Sequence, residues 1–208
     1  MGKVIKINPD RIKGSVLCQA AEVIRRGGVI LYPTDTIYGL GCDALNVKAV
    51  KRIYKIKHRS ENNPALVLVH NKKMLNELVD DITPMANGLM KMFWPGPLTM
   101  IFRANRHIHQ SLISKDGKIG IRIPNNKFCL KLIAKSGAPL LSTSANISGG
   151  KTITTVDTLK KVFASKVDLL LDAGDLESAL PSTVVDVSGE RLVVIREGAI
   201  SSNQLLLR

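Results

Sequence analysis

Short apolar runs alternate with amphipathic stretches along the whole chain, and this alternation constrains the fold more than any other feature. Lys3–Ile7 changes character with period two and reads as a strand. Ser15–Arg26 gathers Val16, Leu17, Ala20, Val23 and Ile24 on one helical face and meets a stop at Gly27-Gly28. Val29–Tyr32 reads as a buried strand closed by Pro33. Val47–Lys57 reads as a second helix, with Val50, Ile53 and Tyr54 as its inner stripe. Further strands are expected at Ala65–His70, Leu98–Phe102, Lys118–Ile123, Leu140-Leu141, Asp168–Leu171, Ser182–Val187 and Leu192–Arg196. Helices are expected at Met74–Val79, Met85–Phe93, Lys127–Lys135 and Val156–Ser165. Strands and helices mix rather than segregate, so the class is α/β. Several strand-to-strand connections are too short for a crossover helix, which calls for some antiparallel pairing. No linker divides the chain, and residues 1–208 are read as one domain with a twisted mixed sheet and flanking helices.

Charge narrows the partners. The 208 residues carry 30 Lys and Arg against 17 Asp and Glu, a net charge of +13. Such an excess either solubilises the chain or meets a polyanion, nucleic acid and nucleotide triphosphate being equal candidates. Aromatic residues are 4% of the chain, too few for a protein that stacks single-stranded bases. No apolar run is long enough to span a bilayer. Cys18, Cys42 and Cys129 are widely spaced and form no C-x-x-C pair, which fits a reduced, cytoplasmic protein better than a disulfide framework or cysteine zinc site. His107 and His109 are two apart but have no acidic or Cys neighbour, so they read as surface residues.

Three polar clusters interrupt the apolar pattern. Pro33–Gly41 (PTDTIYGLG) places short hydroxyls and glycines directly after a buried strand, where α/β proteins bind ligands or simply turn. Lys55–Pro64 collects cations at a helix C-terminus and in the loop beyond. They suit either the helix dipole or a phosphate clamp, with Lys57 as a point charge and Arg59 as a planar fork. Ser142–Gly150 (STSANISGG) again follows a buried strand, and its hydroxyls, amide and glycines suit phosphate oxygens or a helix cap. The P-loop, the dinucleotide-binding glycine motif and the G-x-S-x-G elbow are all missing.

Taken in series, PTDTIYGLG, the K-x-R of Lys57 and Arg59, S-A-N-x-S-G at Ser144–Gly149 and P-S-T-V-V-D at Pro181–Asp186 resemble the YrdC-like L-threonylcarbamoyladenylate synthases. WPGPLT (Trp94–Thr99) and GIRIP (Gly120–Pro124) fit the same pattern, which runs from about Val16 to Gly198. The resemblance implies a twisted mixed sheet around a basic cavity. It implies a nucleotidyltransferase that condenses L-threonine, bicarbonate and ATP into threonylcarbamoyl-AMP and pyrophosphate. A threonylcarbamoyl transferase partner then moves the group onto tRNA. By match to the family pattern, Lys57 and Arg59 hold phosphates as the catalytic pair. Asn63, Lys118, Ser144, Asn146, Thr152 and Arg196 join them at ATP, and Thr36, Arg122, Ser142 and Ser182 hold threonine. Mg²⁺ comes with the ATP and needs no direct protein ligand.

Two departures stand out. Some relatives carry His near the threonine site where this chain has Leu68. The chain stops ten residues after Gly198, as in the short branch of the family, whereas the long branch continues into a second domain. A paralogous branch lacks an intact S-A-N-x-S-G loop; this chain keeps it, which favours the synthase. The rival reading is a double-stranded RNA or tRNA binder of the same fold without synthase activity. A third is a carbamoyl-adenylate module used in maturing another enzyme.

Overall fold

The computed structural model describes residues 2–8, 11–60, 65–150, 153–176 and 180–206. The chain opens with strand β1 (Lys3–Lys6), helix α1 (Gly14–Arg25) and a hairpin of β2 (Ile30–Pro33) and β3 (Tyr38–Asp43). Helix α2 (Val47–Lys57), β4 (Leu66–Leu68), α3 (Lys72–Asn76) and α4 (Pro84–Phe93) follow. Then come β5 (Leu98–Arg103), a 3₁₀ turn at Gln110–Leu112, β6 (Lys118–Arg122), α5 (Lys127–Ser136) and β7 (Leu140–Ser144). The chain continues through α6 (Val156–Phe163), β8 (Leu169–Asp172), β9 (Thr183–Asp186), β10 (Val193–Arg196) and α7 (Ser202–Leu206).

The helices begin where short polar side chains cap them. Asn46 accepts from the Ala49 N–H, Thr83 from Ala86 and Asn126 from Cys129, each satisfying an orphan donor of the first turn. Pro84 follows its cap at the first helical position, where its missing N–H costs nothing. Gly137 ends α5 in the left-handed conformation. Helix α1 packs on α5 and along β2 and β3, and α2 lies on β3.

Among the described residues, ten strands join one sheet in the order β1-β8-β2-β3-β7-β4-β6-β5-β9-β10. Parallel pairs (β1 with β8, β8 with β2, β4 with β6, β5 with β9) are mixed with antiparallel ones (β2 with β3, β3 with β7, β7 with β4, β6 with β5, β9 with β10). The expected mixed sheet is therefore present. The short connections from β2 to β3 and from β9 to β10 account for two of its five antiparallel pairs.

One strand was not anticipated. Tyr38–Asp43 reads in sequence as the tail of a glycine-rich turn, yet it is β3, paired on both edges. Gly41 explains the composition: a Cβ there would sit 2.7 Å from the Tyr32 ring. Strand β7 likewise extends beyond Leu140-Leu141 through Ser144, so the hydroxyl cluster begins inside the sheet.

Side-chain alternation separates core from cavity. On β6, Ile119 and Ile121 are fully buried, whereas Lys118, Gly120 and Arg122 line a cavity on the other face. The same period puts Val67, Met100, Leu141 and Val185 in the core, and Leu66, Leu68, Thr99, Ser142 and Val184 on the cavity wall. Cutting a core side chain such as Ile121 to Ala would cost about 2–5 kcal/mol.

Candidate active site

The cavity encloses about 670 Å³, within the usual range of small-molecule sites. Its wall runs from the β2–β3 turn across β7, β4, β6 and β5 to β9 and β10. Four cationic side chains (Arg59, Lys118, Arg122, Arg196) face it together with three carboxylates (Asp35, Asp116, Asp186). The excess of positive charge within it is thus small, because each carboxylate is committed to a cation.

Thr36, Arg122, Ser142 and Ser182 all line the cavity. Arg122 is buried, donates from Nε to the Gly96 carbonyl at 2.8 Å and from Nη2 to Asp35 Oδ2 at 2.5 Å. The Trp94-Pro95-Gly96-Pro97 turn thus presents a carbonyl that fixes the guanidinium plane. Ser142 Oγ lies 2.8 Å from the buried Tyr32 hydroxyl, and Ser182 Oγ lies 2.9 Å from Thr99 Oγ1. Burial pushes the Tyr32 pKa well up, so its hydroxyl stays protonated. Thr34 closes the turn: its Oγ1 donates to the Ile37 carbonyl and lies 3.1 Å from Thr36 Oγ1. Leu68 sits in the wall where some relatives are expected to carry His.

Arg59, Ser144, Asn146, Lys118 and Arg196 line the same cavity. Arg59 reaches Thr143 Oγ1 at 3.4 Å, and burial lowers its pKa. Lys118 binds Asp186 at 2.8 Å and Asp116 at 3.1 Å; the bond to Asp186, then that to Asp116, raises its pKa. Arg196 on β10 donates to the Ser182 carbonyl at 2.7 Å, and partial burial of its guanidinium lowers its pKa. The turn after it is tight: a Cβ on Gly198 would lie 2.2 Å from the Pro181 carbonyl oxygen.

Lys57 differs from the direct phosphate clamp expected of it. It is 1% exposed and does not face the cavity. Its Nζ donates to the Ser144 carbonyl, to the Asn146 carbonyl at 2.6 Å and to Asn146 Oδ1 at 3.0 Å. Ser144 Oγ in turn donates to Asn146 Oδ1 at 2.6 Å. Lys57 therefore holds the S-A-N loop in shape from behind, while Arg59 faces the cavity. Burial, then the neighbouring Arg59, lowers its pKa to about 8. Helical spacing carries this signal: residue 57 follows Val50, Ile53 and Tyr54 on the buried stripe.

Asn63 and Thr152 lie outside the described residues. All other expected site residues except Lys57 line the one cavity. Sequence pattern alone points to no role for Asp35, Tyr32, Thr99 or Gly96, although Asp35 stands inside PTDT, next to Thr36. Among the described residues no cluster of three His, Cys, Asp or Glu could hold a metal ion. His107 and His109 are exposed, as expected. Burial pushes the Cys42 and Cys129 thiols up, leaving them protonated.

The Sua5_yciO_yrdC family profile, described as telomere recombination, matches residues 22–198. The chain belongs to this family. It is 36% identical over 203 residues to a putative threonylcarbamoyl-AMP synthase of Methanocaldococcus jannaschii, covering 98% of this chain and 95% of that one. It is 33% identical to the threonylcarbamoyl-AMP synthase of Pyrococcus abyssi, covering 94% of this chain but 58% of that protein. The solved structure of P. abyssi Sua5 complexed with L-threonine superposes with a TM-score of 0.91 at 31% identity, over 98% of this chain and 61% of that one. Escherichia coli YciO superposes with a TM-score of 0.90 at 31% identity, over 99% and 100% of the two chains. This Sua5/YciO/YrdC chain thus shares its single-domain α/β sheet with both.

Proposed function

We propose that the protein is an L-threonylcarbamoyladenylate synthase that joins L-threonine, bicarbonate and ATP into threonylcarbamoyl-AMP and pyrophosphate. One observation carries the reading: a buried arginine with three hydroxyls and a cation-rich stretch with the S-A-N loop share one cavity. The names of the P. abyssi and M. jannaschii relatives, and the L-threonine bound to P. abyssi Sua5, support it.

In this reading Arg122 pairs the threonine carboxylate, with Thr36, Ser142 and Ser182 around the rest of the amino acid. Arg59, Lys118, Ser144, Asn146 and Arg196 hold the nucleotide, joined by Asn63 and Thr152, and Lys57 keeps the loop in place. The threonine amine forms a bond to the carbon of bicarbonate, a C–O bond there breaks, and water leaves to give a carbamate. One carbamate oxygen attacks the α-phosphorus, and the bond to the bridging oxygen breaks as pyrophosphate leaves. Positioning supplies much of the rate, and the cations stabilise charge building on the phosphates. Mg²⁺ arrives as part of the ATP substrate, coordinated by phosphate oxygens. That fits a cavity whose carboxylates are already bound to Arg122 and Lys118. The product then passes to a threonylcarbamoyl transferase acting on tRNA, which places the protein in the cytoplasm.

The test is to incubate the protein with ATP, Mg²⁺, bicarbonate and each of several amino acids, and to seek the carbamoyl-adenylate by mass spectrometry. Threonylcarbamoyl-AMP and pyrophosphate are expected in equal amounts. No product with threonine from folded protein sinks the assignment. The RNA-binding alternative requires salt-sensitive RNA binding indifferent to Ser144→Ala and Asn146→Ala.

A further inference from the structure

Asp35 has one satisfied oxygen and one orphan. Its side chain is 13% exposed, in the turn between β2 and β3. Oδ2 accepts from Arg122 Nη2 at 2.5 Å and from the Asn125 backbone N–H at 3.1 Å. Oδ1 is shut off from solvent, and no donor among the described residues reaches it. Buried polar oxygens are almost always paired, so an orphan carboxylate oxygen on a cavity wall marks the place of a donor the protein does not supply.

We infer that Asp35 binds the amino group of the substrate amino acid through Oδ1. The inference rests on the proposed reading that the cavity takes L-threonine at Arg122. Its further argument is geometric. Arg122 spends Nε on Gly96 and Nη2 on Asp35, and Nη1 makes no hydrogen bond to a described residue. The pair therefore leaves two poles unused, a guanidinium N–H and a carboxylate oxygen. An α-amino acid carries a carboxylate and an ammonium on a single carbon. The two poles match that zwitterion as a unit, each gripping the group of opposite charge. A metal ion is a poorer match for Oδ1, because no cluster of three metal-ligating side chains stands among the described residues. The carbamate formed on the same nitrogen keeps one N–H, so the oxygen still has a donor to accept from after the first step.

The deciding experiment compares L-threonine with (3R)-3-hydroxybutanoate, which lacks only the amine, by calorimetry on the intact wild-type protein and on Asp35→Asn. The amide keeps an oxygen for Arg122 and Asn125 and sets an NH₂ where Oδ1 stood, so donor faces donor. Wild-type protein should bind the deaminated acid at least ~10-fold more weakly than threonine. Asp35→Asn should lose a comparable factor for threonine and keep its affinity for the deaminated acid and for ATP. Equal losses for both acids would mean that Asp35 only poses Arg122, and would overturn the inference. Unchanged threonine affinity in the variant overturns it alone, with the synthase reading intact. Wild-type protein that binds no threonine overturns both. Should Asp35→Asn fail to fold, the two ligands on wild-type protein decide: equal affinity refutes the role of the amine.

Discussion

Raising the pH should relieve a cost that Lys57 imposes on the folded protein. The ammonium is buried behind the S-A-N loop, and burial lowers its pKa from 10.5 to about 8. A lysine whose folded pKa lies below its unfolded one binds fewer protons when folded. The full cost is present below about pH 8, and stability climbs as pH rises to the unfolded value of 10.5. That gap corresponds to about 3 kcal/mol. The measurement is urea unfolding at a series of pH values, on wild type and on Lys57→Met, which keeps the apolar stem and removes the amine. Other titrating groups are shared, so the wild-type minus variant difference isolates Lys57. It should rise by about 3 kcal/mol between pH 8 and 10.5 and be flat below pH 7. A difference that stays flat across the whole range, or falls, would refute the reasoning. It would mean that the three loop acceptors compensate the buried charge in full.

Three further outcomes are expected. Tyr32→Phe removes the partner of Ser142 Oγ, so unfolding free energy should drop by about 1 kcal/mol, and steady-state kinetics should show a higher KM for threonine with the KM for ATP unchanged. Gly198→Ala drives a methyl into backbone at Pro181; thermal melts should report a loss near 3 kcal/mol, the upper end of overpacking costs, with weakened ATP binding as Arg196 shifts. Of the three thiols, a disulfide reagent should titrate the exposed Cys18 quickly in native protein, and Cys42 and Cys129 only after unfolding.

Much of this architecture is legible in the sequence. Helix α2 lies where its apolar stripe puts it, Val47–Lys57, because Asn46 caps one end and the stripe is unbroken. β5 and β6 are legible for a similar reason: every second residue is apolar and fills the core, while the residues between them turn to the cavity side. What escaped has physical causes. β3 carries glycines that disguise a strand as a turn, because Gly41 must make room for the Tyr32 ring. The pairing of Asp35 with Arg122 spans 87 positions, and only the order of the sheet brings the two together. The inward aim of Lys57 is written in its helical spacing, but its place in a run of cations masks it.

The alternation along β6 has a consequence for folding fidelity. Lys118, Gly120 and Arg122 face the cavity while Ile119 and Ile121 fill the core. Sliding the strand by one residue would exchange the two sets. A guanidinium and an ammonium would enter an apolar interior without Asp35 or Asp186, at several kcal/mol each, and two isoleucines would stand in a polar hollow. The residues that recognise a ligand in the finished protein thus also proofread the pairing of its sheet. A chain able to assemble in the wrong register would have to lose those charges first, and with them its site.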